Sequence, residues 1–394
     1  MRQRLALLEP ELVALRRDLH AHPEIAGNER RSTALVAERL RAAGLAPRVL
    51  PAGVGLLCDI GEGVTAVGLR ADLDALPLPD TKNVPYRSVV DGVCHACGHD
   101  VHTAAVLGAG LVLAEQAARG ELPGRVRLVF QPAEEVLPGG ALDVIAAGGL
   151  DGVVRIFALH CDPRTTVGRV ALRAGPITAA SDHLLVRLSG PGGHTARPHL
   201  TGDLVHALGV VLSATPAALS RRVDPRAGLS LVFGRVAAGG AANAIPSSGE
   251  AEGTLRCLDP AVWESAPGLV EEIVTGLVAP YRVSVTVEVT RGVPPCVNDA
   301  DSVTLLGEAA REVLGADAVV GTEQSLGGED FAWYLQQVPG ALARLGVAAP
   351  GTEGTVDLHR SEFDVDERAI GIGAGVLVAA AHRALRAGVT PPSM

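Results

Sequence analysis

Lysine is almost missing from this chain. Lys82 is the only one among 34 basic residues, and no Lys/Arg block occurs in the 394 residues. A nucleic-acid partner or an anionic membrane surface needs a basic stripe to neutralise phosphates. The formal net charge of −10 runs the other way, so neither partner is expected. Six cysteines are too few and too unevenly placed for a disulfide framework, which points to a reducing, cytoplasmic setting. Long apolar runs are also lacking. Glu9, Glu11, Arg16, Arg17 and Asp18 break up the amino terminus where a signal peptide would need unbroken apolar sequence. The longest run, Ala369–Ala381, is rich in Gly and Ala, falls short of the roughly 20 residues that span a bilayer, and reads as a buried helix. There is no Gly-x-Ser-x-Gly elbow for a serine hydrolase. The sole lysine is not in the Gly-Lys-Ser/Thr context of a P-loop.

What is present is a chain with 47% hydrophobic residues, long enough for two hydrophobic cores. The first half alternates strand patterns (Thr65–Leu69, Arg125–Phe130, Val153–Leu159) with helix patterns (His102–Arg119, Gly140–Ala147). That alternation predicts an α/β fold, a mostly parallel sheet flanked by helices. From Asp182 the order changes. Strand Asp182–Ser189, helix Leu204–Leu219, strands Leu229–Val236 and Glu250–Leu258, helix Val262–Val278 and strand Val283–Thr290 spell βαββαβ, the ferredoxin-like unit. An α+β lid domain over 179–292 is therefore expected inside a catalytic domain formed by 1–178 and 293–394. A long Ala-rich helix over Asp366–Arg386 closes the chain.

Three strand patterns end at residues able to do chemistry: Asp72-Leu73-Asp74, Gln131-Pro132-Ala133-Glu134-Glu135 and His160-Cys161-Asp162. Open α/β sheets bind ligands beyond the carboxyl ends of their strands, so these segments are expected to converge. The densest run is Cys94-His95-Ala96-Cys97-Gly98-His99-Asp100-Val101-His102. A structural zinc site there would need a second knuckle, and none exists. A redox Cys-x-x-Cys pair leaves the histidines unexplained, whereas a catalytic metal site would recruit further ligands from other strand ends. Glu134 and Glu135, neighbours that point different ways, could divide metal binding and proton transfer, or could both cap the helix predicted from Gly140. His160 and His359 are candidate ligands, although a lone histidine is more often structural. His194, after Gly190-Pro191-Gly192-Gly193, sits on a predicted loop of the inserted domain, with Asn243 and Arg256 as polar companions. Arg256 suits a bidentate grip on a carboxylate.

At these residues the chain resembles the aminoacylase and carboxypeptidase superfamily of dinuclear metallohydrolases, in its branch of hippurate and indole-acetyl-amino-acid hydrolases. The matching runs extend from Asp18-Leu19-His20-Ala21-His22-Pro23-Glu24 through Arg70–Pro77, Cys97-Gly98-His99, Gln131–Glu135, Gly192-Gly193-His194 and Gly328-Glu329-Asp330-Phe331 to Asp364–Arg368. The resemblance implies a metal-dependent hydrolase of N-acyl amino acids, or of dipeptides by the same site. It implies two divalent ions, Mn²⁺ or Zn²⁺ with Co²⁺ or Ni²⁺ as alternatives. Cys97, bridging, His99, His160, Glu135 and His359 would be the ligands, with Glu134 as acid/base. His194 would reach the active site, in its own subunit or from the neighbouring one of a homodimer formed through the lid, and Asn243 and Arg256 would bind substrate. His20, His22, Asp72 and Asp100 are implied as supporting residues. Asn243 is followed by Ala where the branch more often has Val, and His359 by Arg-Ser-Glu-Phe, which leaves the acyl preference open. A non-catalytic metal-bound protein is the contrasting reading; loss of Glu134 or a ligand would mark it, and none is missing.

Overall fold

A computed structural model describes residues 1–351 and 356–387. They divide into two compact units: 1–175 with 297–323 and 330–394, and 176–296 with 324–329.

The larger unit is built on an eight-stranded sheet. Its order is Arg48–Val49, Leu56–Ile60, Arg125–Gln131, Ala66–Asp72, Val153–Thr166, Gly340–Ala348, Val170–Leu172, Val319–Gly321. The four central strands run parallel, and antiparallel pairs flank them. Ala66–Asp72 is buried at every position, as a strand covered on both faces must be; it reads as an apolar run through Leu69 and then carries the buried Arg70 and Asp72. The Val153 strand continues past the predicted Leu159, so His160 lies inside a 14-residue strand rather than at its end.

Among the described residues, three helices are long and apolar enough, by length and composition, to cross a membrane: His99–Ala118, Leu204–Arg222 and Arg368–Ala387. The first and last are apolar because their unit buries them, packing them against each other and against helix Arg2–Ala21. Gly108 makes that close packing possible, since a Cβ there would lie 2.6 Å from Leu12 Cδ1 and 3.3 Å from Ala374 Cβ. The first of these helices starts at His99, three residues before the predicted His102. This places His99 and His102 one turn apart on one face.

In the second unit, strands Ala180–Ser189, Ser230–Ala238, Ser248–Cys257 and Ser284–Val293 form an antiparallel sheet, with Ser248–Cys257 and Ser284–Val293 on either side of Ala180–Ser189 and Ser230–Ala238 at one edge. Helices Leu204–Arg222 and Pro260–Val278 cover one face. Burial alternates along the strands accordingly. Asp203 and Asp259 cap the two helices through the backbone N–H groups of His206 and Val262. The anchor of this unit is Asp182, a fully buried carboxylate. It accepts from Trp263 Nε1 (2.8 Å), Arg291 Nη1 (2.8 Å) and the Gly292 amide (3.0 Å).

Replacing Asp182 with Ala strands three donors, one of them a guanidinium. We expect Asp182→Ala to cost about 3 kcal/mol or more, read as a lowered urea midpoint. A change below about 0.5 kcal/mol would show that water replaces the carboxylate there without penalty.

Candidate metal centre

Register across the parallel strands sets the level of the site. Asp72 pairs with Gln131, and Arg70 pairs with Ala158, so His160 falls level with Asp72. Below this line the floor is polar and fully buried. Arg70 reaches Asp72 (2.5 Å), Asp330 (2.8 Å) and Gln131 Oε1 (2.9 Å), and Gln131 Nε2 donates to Asp330. Burial works against a charge on Asp72, yet His99, His102 and Arg70 hold its carboxyl well below the usual range.

Cys97 and His99 flank Gly98, whose left-handed φ of +86° turns the chain into the helix. A Cβ at Gly98 would stand 2.7 Å from Cys161 Sγ, so only glycine fits the turn and its neighbour together. His99 Nδ1 donates to the Asp74 carbonyl (2.8 Å), and His160 Nδ1 donates to the Cys161 carbonyl (2.8 Å). Each neutral ring therefore has its Nε2 lone pair for another partner. Against the effect of burial, Asp72 and Cys97 raise the His99 pKa, so an ion at His99 would displace a proton. His160 Nε2 lies 3.4 Å from Cys97 Sγ, while buried His99 Nε2 makes no hydrogen bond. Burial, with Arg344 nearby, pushes the His160 pKa well below its usual value and keeps the ring neutral.

The Gln131–Glu135 segment is pinned from two sides. Ala133, with φ +56°, donates its amide to buried Glu29 (2.8 Å), and the Glu135 amide donates to Asp74 Oδ2 (2.9 Å). The carboxyl groups do not cap the next helix, Ala141–Ala146, which has no side-chain cap at Gly140. Its Ala141 amide goes to Asp330 instead (3.0 Å). Glu135 Oε1 stands 3.3 Å from His359 Nε2 and 3.8 Å from His99 Nε2. His359, half exposed at φ +61°, donates its amide to the Ala96 carbonyl (2.8 Å), and the neighbouring Glu135 carboxylate raises its pKa.

Three overlapping groups result, each with ligand atoms within 4.8 Å of one another: Cys97, His99 and His160; Cys97, Glu135 and His359; His99, Glu134 and Glu135. Cys97 belongs to two of them. Burial pushes its thiol well above the ordinary range and nearby Glu135 adds to this, so a thiolate there needs a cation beside it. The set of sulfur, imidazole and carboxylate donors, with His99 Nε2 and Glu135 Oε1 buried and lacking hydrogen bonds, fits divalent ions. A fourth group, Asp72, His99 and His102, fits less well. His102 Nε2 accepts the Cys161 amide (2.8 Å) and Nδ1 donates to Asp72 (2.6 Å), which occupies both ring nitrogens.

The remaining predicted residues lie elsewhere. His194 is exposed in a two-residue strand paired with Ala244–Ile245, and its Nδ1 accepts the Ala196 amide (3.0 Å). The Asn243 carbonyl accepts the Thr195 amide (3.2 Å), so these two are neighbours. Arg256 is near the far end of the Ser248–Cys257 strand, bonded to the Leu326 carbonyl. His22 bonds the Asp18 carbonyl at its helix end (2.9 Å), and His20 joins Asp100 (2.7 Å). Sequence reasoning missed Glu29 and Arg16, which carry no motif spacing of their own.

Residues 68–383 match the family model described as Peptidase family M20/M25/M40. A Rhodococcus jostii (strain RHA1) protein that carries a glutamate--cysteine ligase name is 52% identical over 94% of this chain, which spans 46% of that protein's length. N-acetyl-L-cysteine deacetylase of Bacillus subtilis (strain 168) is 37% identical, with 93% of this chain and 86% of that protein covered. Among solved structures, the Bacillus subtilis YXEP protein, described as a dinuclear metal binding peptidase from the M20 family, superposes with a TM-score of 0.86. It is 32% identical, with 97% of this chain and 99% of that one covered. The chain belongs to peptidase family M20/M25/M40, and with it to the metal-dependent hydrolases.

Proposed function

We propose that the chain hydrolyses the amide bond of N-acyl amino acids to a carboxylate and a free amino acid. Two divalent ions would be held by Cys97, His99 and His160 on one side and Cys97, Glu135 and His359 on the other. The observation that carries this reading is the pair of backbone-locked imidazoles offering Nε2 around one shared thiol, with Glu134 beside them. The 37% identity to a protein named for deacetylating N-acetyl-L-cysteine supports the substrate class and puts N-acylcysteines first among candidates.

Bound ions would supply Lewis acidity, lowering the pKa of water toward about 7. Sulfur favours zinc, while imidazole and carboxylate also suit manganese, cobalt or nickel. Glu134 accepts the proton of the attacking water as its oxygen bonds to the amide carbon. It returns that proton to the nitrogen as the C–N bond breaks, because an amide nitrogen cannot leave as a bare anion. His194 is arranged as a donor: its Nδ1 accepts the Ala196 amide, so a neutral ring carries its hydrogen on Nε2. That N–H would stabilise the oxygen that gains charge. Arg256 would hold the amino-acid carboxylate, and Asn243 would contact the substrate near His194.

Spacing within the second unit bears on how these groups meet one substrate. His194 and Asn243 lie beyond the Ser248–Ser189 pair, whereas Arg256 pairs with Ser181 eight residues along. At the rise of a strand that is roughly 26 Å. One small amide cannot touch both ends of a single copy. This supports a homodimer in which one subunit supplies Arg256 and its partner supplies the His194 end.

Metal-stripped protein should lose hydrolysis across a panel of N-acetyl, N-benzoyl and dipeptide substrates and recover it with Mn²⁺, Zn²⁺, Co²⁺ or Ni²⁺. Unchanged turnover after complete metal removal would sink the mechanism. A panel in which only dipeptides respond would replace the N-acyl reading with a peptidase one.

For Glu134→Gln we expect kcat to fall roughly 10²–10⁴-fold with both ions retained. Near-normal turnover would remove Glu134 as the proton carrier.

His194→Ala should lower kcat by roughly 10²–10³-fold. Mixed with Glu134→Gln and allowed to exchange subunits, it should regain about a quarter of wild-type activity, since half the dimers are mixed and each has one competent site. No recovery on mixing would place His194 within its own subunit.

A further inference from the structure

Arg16 is a fully buried guanidinium on the first helix, some 80 residues before the nearest ligand in the proposed set. It reaches two segments that bear proposed ligands. Its Nε lies 2.7 Å from Asp100, the residue after His99, and its Nη2 lies 3.2 Å from Asp364, five residues after His359. His20, one turn along the same helix, donates to Asp100 from Nδ1 (2.7 Å). Tyr86 stacks on Arg16 with its ring centroid 4.8 Å away and donates its hydroxyl to Asp364 (2.8 Å).

His359 needs such support. It is half exposed, it sits at a positive φ that L residues rarely adopt, and its own backbone is tied to the site by one hydrogen bond, to Ala96. Beyond it, the Ser361 carbonyl accepts the Thr81 amide, and Phe363 is buried before the chain reaches Asp364. A buried ion pair of this kind is a poor way to gain stability, since apolar replacements are often as stable or more so. It is a good way to fix the relative placement of two loops.

We propose that Arg16 is a positioning residue for the metal centre: through Asp100 and Asp364 it holds the Cys97–His99 turn and the His359 loop at the separation two ions require. The inference rests on the ligand assignment proposed above. Outer partners of metal ligands are worth 10–100-fold in affinity when removed. The ion bound by Glu135 and His359 depends on the Asp364 link. The ion bound by His99 and His160 depends on backbone carbonyls that this link does not touch.

Arg16→Met leaves Asp100 buried without its cation and can fail to fold, so the decisive variant is Asp364→Ala, cut at a partly exposed residue. Stepwise Zn²⁺ and Co²⁺ titration of the full chain by calorimetry, with the thiolate–cobalt absorption band as a second readout, measures each ion separately. We expect wild type to bind two ions. Asp364→Ala should bind the first with unchanged affinity and the second ~10-fold or more weakly, with the metal-free melting temperature little altered. Asp364→Asn, which keeps an acceptor for Arg16 and Tyr86, should recover part of the loss. Two ions bound by Asp364→Ala at wild-type affinity would overturn the positioning role alone. So would an equal loss of both ions together with metal-free stability, the mark of a merely structural residue. Fewer than two ions in wild type would overturn the ligand assignment and this inference with it.

Discussion

The arrangement depends on two hydrogen bonds that contain no catalytic atom. The carbonyls of Asp74 and Cys161 each take the Nδ1 proton of a buried imidazole, His99 and His160. A backbone carbonyl cannot donate, so the tautomer of each ring is fixed, and both Nε2 lone pairs face the space around Cys97. A histidine free to rotate or to switch tautomers would lose rotamer entropy on each binding event. Here folding has already met that cost. The Asp74 carbonyl follows the end of one central strand and the Cys161 carbonyl lies within another, so the register of the parallel sheet fixes the spacing of the proposed ligands.

Polar atoms gathered at strand ends must be satisfied, and the buried floor shows how. Arg70, Asp72, Gln131, Asp330 and His102 form a network in which nearly every group meets an opposite charge or a matched donor. In a low-dielectric interior such a network is stable only when its members are all in place. The result is a rigid base beneath softer elements. Above it, the Ala133–Glu135 turn and the His359 loop each include a positive-φ residue, the turn held by two amide hydrogen bonds and His359 by one. Imidazoles fixed to the sheet, with carboxylate and loop groups held by fewer bonds, would suit the proposed centre, which must hold its ions while substrate enters.

Much of this was legible in the sequence, and for different reasons. The strand and helix alternation, and the change to βαββαβ near Asp182, follow from hydrophobic periodicity, which burial enforces locally. The Cys94–His102 run stood out because so many ligand-type residues rarely share nine positions. His160 was placed at a strand end and lies within the strand, because its continuation through Cys161 to Thr166 carries polar residues that no alternation pattern marks. The helix at His99 was begun three residues late, since its first turn is made of residues that read as ligands rather than as helix. Glu29 and Arg16 left no signal. Their partners are Ala133, Asp100 and Asp364, between 84 and 348 residues away in sequence. Only the folded chain brings a lone Glu or Arg to such a partner.

Cys97 links the site to its surroundings most directly. Buried among acidic neighbours, its sulfur favours the thiol, and a carboxylate in that position would favour the anion more readily. A centre built on it therefore takes up ions by giving up a proton, so affinity rises with pH in the range where the thiol titrates. It also favours ions that bond well to sulfur over the more abundant hard ones. The hydrogen bonds from His99 and His160 Nδ1 to backbone carbonyls would hold both imidazoles ready for such ions.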